Sequence, residues 1–191
     1  MQNRLQEIEV RRAFGLFFIA ISIAVGLGSL LNELVFVTNS PAYLYPIVWL
    51  VSFSVIFGGT FRRFRGLVPL LRSRMKKSIS WPSKAKALNG ICWASPFAAI
   101  GIYPALYQYL ILLGIGLGNL STYLLMKKYN GVNNTEQMIV GLVSIAAIPV
   151  AAGLDTTVFV ARHDIVVAFS RILISLAYGI GGVYALSKTI G

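Results

Sequence analysis

The sequence predicts an all-α fold, a polytopic bundle of transmembrane helices, on three observations. Of its 191 residues 57% are apolar and only 12% charged, about half the charge of a soluble domain. The few charges leave long stretches almost free of them, at 13–32, 34–61, 87–126, 137–161 and 165–187. The remaining charge is lopsided, 17 Lys and Arg against 6 Asp and Glu, a net +11. A disordered chain and a water-soluble globular domain are both excluded by this composition.

Each span follows from the roughly 20 apolar residues that a helix needs to cross about 30 Å of hydrocarbon. The first runs over about 13–32 and is followed by Asn32-Glu33, not by the small residues of a signal-peptide cleavage site. Thr38-Asn39-Ser40-Pro41 is a turn signal and starts the second span near 42, to end near 60. The stretch 87–126 is about twice one span and has Tyr103-Pro104 in its middle. Proline removes a backbone donor and disfavours helix in the residue before it. That divides the stretch into spans at about 88–102 and 104–126. The alternative is a single long kinked helix, and so five spans in place of six. The last two spans cover about 137–160 and 165–187.

Charge distribution favours six spans by a narrow margin. With both termini cytoplasmic, six spans put 15 of the 17 basic residues inside and five spans put 14. The expectation is one integral domain over 1–191, in the cell membrane.

The basic loop, 61–87, holds nine of the positive charges. Phe64, Val68, Leu71, Met75 and Ile79 recur at helical spacing. Arg62, Arg63, Arg65, Arg72, Arg74, Lys76 and Lys77 fill much of the rest. This predicts a basic amphipathic helix, continuous after Pro69 and ended by Trp81-Pro82. Such a helix lies on an anionic lipid surface, with roughly 1 kcal/mol from each basic residue. A loop that only sets orientation, or one that docks an acidic partner, are the other readings. Nucleic acid is not expected, because the aromatic residues follow helix spacing and form no stacking platform.

Inside the spans, ionisable groups are the default site candidates. Asp155 and Arg171 are each eight positions from His163. In a hairpin turning there, both would lie about 12 Å below the turn and approach each other. Pro149 and Gly153 are expected to interrupt the fifth span, as broken helices do around transporter cavities. The candidate solute site is therefore Asp155, Arg171, Thr156, Pro149 and Gly153, with Asn119. Glu33 is expected to be solvated where the first span ends, Asp164 to cap the last helix, and His163 to be a solvated turn residue. Small residues four apart (Ala20 and Ala24, Ala24 and Gly28, Gly114 and Gly118, Ser175 and Gly179) predict close helix packing within the bundle or a dimer seam.

Cys92 is the lone cysteine and His163 the lone histidine. Intrachain disulfides, multi-His metal sites and bis-histidine haem are thereby excluded. No catalytic constellation and no cofactor is expected. Two functions stay open: a protein that binds or passes a small solute between its last helices, and a non-catalytic accessory subunit. The second would join other membrane subunits, or copies of itself, or anionic lipid, through the basic loop.

Overall fold

The structure is a computed structural model describing residues 2–189, without the side chains of residues 2–6, Lys77 and Ile79. It is a helical bundle, with no strand among the described residues. Its elements are α1 (Gln2–Val37), α2 (Leu44–Arg63), α3 (Leu67–Met75), α4 (Ser83–Ile102), α5 (Tyr107–Asn130), α6 (Thr135–Gly153) and α7 (His163–Ser187). Short 3-10 turns at Lys76–Ser80 and Pro104–Leu106 and a π-helical turn at Leu154–Val158 complete it.

Five segments are long and apolar enough to cross a membrane: Glu7–Val37, Leu44–Arg63, Pro104–Asn130, Thr135–Val158 and His163–Ser187. Helix α4 is the sixth long helix and is not among them. Lys84 and Lys86 occupy its first turn. They leave an apolar length of about 15 residues, or about 22 Å at helical rise, shorter than in the other five. Tyr103-Pro104 does divide the 40-residue uncharged stretch as expected, with α4 and α5 antiparallel on either side. Trp81 Nε1 donates to Asn130 Oδ1 at 2.6 Å, Trp93 Nε1 donates to Thr122 at 3.2 Å, and Phe97 lies against Gly114.

Small residues set the helix spacing from within. Along α1 and α7, Gly15 meets Gly182, Gly26 meets Ser175, and Gly179 meets Ser22. Ser175 Oγ also donates to the Ser22 carbonyl at 2.7 Å. Gly116 of α5 and Gly141 of α6 approach so closely that a Cβ on either would come within 3.2 Å of the other's carbonyl oxygen. Such surfaces let backbones approach where lipid offers no hydrophobic drive for association. The four predicted pairs are used inside the chain: Ala20 and Ala24 are buried, Gly28 abuts Trp49, Gly114 abuts Phe97, and Gly118 abuts Trp93.

The bundle has a packed centre and two outer arms. Helices α1, α5, α6 and α7 pack on one another in the order α1–α7–α6–α5, with α7 also touching α5. Helix α2 packs on α1, and α4 packs on α5. The α2–α4 pair is not among the packed helix pairs of the described residues. Helix α3 lies across one end and packs on α1. This α3 end also carries the α5–α6 turn, where Gly131 adopts a left-handed conformation (φ 63°) that ends α5 without a Cβ penalty.

The loop helix departs from its predicted phase. It begins at Leu67, with Pro69 in the first turn, where a missing N–H leaves no bond unmade. Its buried residues are Leu67, Leu71 and Arg74, whereas Phe64, Val68 and Met75 are exposed. Of the expected stripe only Leu71 is buried, and Ile79 lies outside the described side chains. Arg74 displaces the stripe because its buried guanidinium is paired with Glu136, 62 residues away.

Candidate functional site

Between the two outer arms, in the half of the bundle next to α3, lies a cavity of about 960 Å³. Phe14, Phe17, Phe18 and Ile21 of α1 form one wall. Asn89 and Trp93 of α4, with Asn119, Thr122 and Met126 of α5, form the opposite wall. Tyr178 of α7 forms the back, and Val68, Arg72, Arg74, Met75 and Lys76 of the loop form the roof. The lining is mainly apolar and aromatic. It includes three cations and no carboxylate.

Polar groups at depth are mostly satisfied by their neighbours. Asn119 Nδ2 donates to the Ile115 carbonyl at 2.9 Å and to the Tyr178 hydroxyl at 3.2 Å. Asn89 Oδ1 accepts from Ser121 at 2.8 Å and from Thr122 at 3.0 Å. At the roof, Arg74 donates to Glu136 Oε1 at 3.2 Å and stacks over Phe14 with its Cζ 4.8 Å from the ring centre. Burial pulls the Arg74 guanidinium below its ordinary value, and Glu136 opposes that shift. Arg74 Nε and Asn134 Oδ1 are buried without a hydrogen-bond partner among the described residues, and both residues line the cavity.

A second polar cluster lies at the opposite end. Asp155 is buried in the π-helical turn. Its carboxylate accepts from Gln108 Nε2 at 3.1 Å, from the Tyr109 hydroxyl, and faces His163 Nδ1 at 2.5 Å. His163 is therefore engaged, although its side chain stays 68% exposed. The α-helix runs unbroken through Pro149 and ends at Gly153, as expected for that glycine; the π-helical turn starts at the next residue, with Phe159 N–H bonding back to the Leu154 carbonyl at 2.8 Å. Pro149, Gly153 and Thr156 all face outward. Thr156 spends its hydroxyl on the carbonyls of Ala152 and Gly153.

Asp155 and Arg171 do not pair, contrary to expectation. Arg171 Nη1 donates to Glu33 Oε1 at 3.3 Å. Its guanidinium also lies against Trp49 and Tyr107, with Cζ 5.9 and 5.4 Å from their ring centres. The first turn of α5 serves both groups, with Tyr107 on Arg171 and Gln108 and Tyr109 on Asp155. Glu33 is thus an ion-pair partner and not merely a solvated residue. Asp164 is not a cap either. It sits in the first turn of α7 and holds Arg162 at 2.8 and 3.0 Å.

Of the six predicted solute-site residues, only Asn119 lines the large cavity. Among the loop cations, Arg72, Arg74 and Lys76 line it, whereas Arg62, Arg63 and Arg65 are exposed elsewhere and the Lys77 side chain lies outside the described residues. Tyr178, Trp93, Asn89 and Glu136 were not legible as site residues, because each gains its role from a partner distant in sequence. No group of three or more metal-ligating side chains occurs among the described residues. No protein-family model, curated protein or solved structure matches this chain.

Proposed function

We propose that this chain is a non-catalytic integral membrane protein that holds a membrane-dissolved small molecule in the cavity beside α3. The cavity is the observation that supports this reading. At about 960 Å³ it is near the upper end of the range of about 300–1,000 Å³ usual for small-molecule sites. Protein interiors tolerate few voids larger than a water molecule. An aromatic-walled space of this size therefore favours an occupant. The polar residues Asn119, Tyr178 and Asn89 would orient that occupant, while the Phe14–Ile21 wall takes its apolar length.

Tryptophan fluorescence tests the reading, because Trp81 and Trp93 line the cavity and Trp49 does not. A protein retaining only Trp93 is titrated in detergent micelles with a brominated-chain lipid and compared with one retaining only Trp49. The expected result is saturable quenching of Trp93 at a low lipid fraction, gradual quenching of Trp49, and loss of the saturable phase in Ile21→Phe. Equal, gradual quenching of both would refute the reading.

A second reading, an accessory subunit, draws support from α2. Ser52 is its one buried residue, and Leu50, Val51 and Val55 are all exposed. That face suits another helix as well as lipid. Cysteine crosslinking at Val51 in native membranes would distinguish the two, since a protein partner gives a discrete adduct and lipid gives none.

A further inference from the structure

We infer that the occupant of the cavity is an anionic phospholipid, with its chains against the α1 wall and its phosphate at Arg72 and Lys76. This rests on the reading that the cavity binds a membrane molecule, and it adds the chemical class. Three features of the lining select that class together.

The first is the segregation of the lining. Phe14, Phe17, Phe18 and Ile21 follow one another along a single helix, and the cations gather at one end of it, on α3 and the turn that follows. A molecule that fits must be apolar along its length and polar at one tip, as a lipid is. The second is the sign of the charge. Arg72, Arg74 and Lys76 line the space with no carboxylate beside them, and neither Arg72 nor Lys76 makes an ion pair among the described residues. Arg74 is largely neutralised by Glu136, so the uncompensated charge belongs to Arg72 and Lys76. These two are one helical turn apart and so share a face of the loop. They would be neutralised by an anionic head and would repel a cationic one.

The third feature is an unmet hydrogen bond. Arg74 is 5% exposed, and among the described residues its Nε has no acceptor, just as Glu136 Oε2 of its ion-pair partner has no donor. Unsatisfied donors at a buried site are rare in native proteins and ask for a partner. A phosphate offers several acceptor oxygens, and guanidinium groups match its geometry well. Asn134 and Gln137 flank the same corner, joined by an Asn134 Nδ2 to Gln137 Oε1 bond of 2.9 Å.

The test separates this site from general attraction to the basic loop. The full-length protein is purified in mild detergent with equimolar phosphatidylglycerol and phosphatidylcholine of identical chains, and retained lipid is measured by native mass spectrometry. Phosphatidylglycerol should be retained at least about tenfold over phosphatidylcholine, because both carry a phosphate but only phosphatidylcholine brings a cationic choline towards Arg72 and Lys76, at roughly 1 kcal/mol for each basic residue. Arg72→Gln with Lys76→Gln should bring that preference to about twofold or less, by the same arithmetic run in reverse. Both residues are exposed, so the fold is kept. Arg62→Gln with Arg63→Gln, which removes equal charge outside the cavity, should leave the preference intact. Equal retention of the two lipids would overturn this inference while leaving the binding function standing. A preference lost equally in both double variants would also overturn it, by assigning the selectivity to surface charge. Retention of neither lipid, with unsaturable Trp93 quenching, would remove the binding function itself.

Discussion

The two ends of the bundle treat their polar groups in opposite ways. Opposite α3, Asp155 meets Gln108, Tyr109 and His163, and Arg171 meets Glu33 between two aromatic rings. Asp155 and Arg171 are thus held by partners from other elements, while Arg162 and Asp164 form an exposed pair in the turn. At the α3 end a similar pair, Arg74 with Glu136, is also enclosed, but Arg72 and Lys76 face open space. A closed polar network uses its hydrogen bonds to fix helix positions. An open one leaves binding capacity for something else. The candidate site therefore lies where charge is left over, and not where charge is buried deepest.

The sharpest way to break this contrast is at the buried pair. Glu136→Ala should cost about 3–5 kcal/mol, because it strands a buried guanidinium. Thermal unfolding in detergent would measure the loss. A double change of Arg74 and Glu136 to Met should recover most of it, since neither charge is then orphaned. The next largest effect should come from Gly118→Leu. A Cβ there already comes within 2.3 Å of the Trp93 ring, and overpacking costs about 1–3 kcal/mol. A red shift of Trp93 emission should accompany it as α4 is pushed off α5.

At the opposite end, Asp155→Asn should cost about 1–3 kcal/mol through hydrogen bonds left unmade. Combined with Glu33→Gln, its effect should add to within about 0.5 kcal/mol if the two networks are independent. Marked non-additivity would show coupling through the first turn of α5. The smallest effect should be that of Asp164→Asn. It removes an exposed pair with Arg162, and the melting temperature should not move.

The helices themselves were legible, because an apolar run of span length has few other ways to fold in lipid. The Tyr103-Pro104 division and the turn near Thr38–Pro41 could be read for the same local reasons, whereas the loop helix expected to run to Trp81-Pro82 ends at Met75 and continues only as a 3-10 turn to Ser80. The site was much less legible. Asp155 was found as a buried group, but counting residues back from the 162–164 turn supplied the wrong partner. The π-helical turn resets the rotation of Asp155, and Glu33 and Gln108 come from helices that the count did not include. The phase of α3 was misread because periodicity treats an arginine as outward-facing, whereas Arg74 is drawn in by Glu136. The cavity itself left almost no local trace. Its lining comes from α1, α3, α4, α5 and α7, residues far apart in sequence whose juxtaposition has no local pattern.

The seam between α1 and α7 has a consequence for how the chain is assembled. Helix α1 has as its main partner α7, which is made long after it. Until α7 is made, the Gly15, Ser22 and Gly26 face of α1 must wait in lipid, or against translocation machinery, without its natural neighbour. Contacts this distant in sequence form late and slowly. A ribosome stalled before 163 would therefore release a bundle with an open side, and such truncated chains should be the first to draw quality-control proteases.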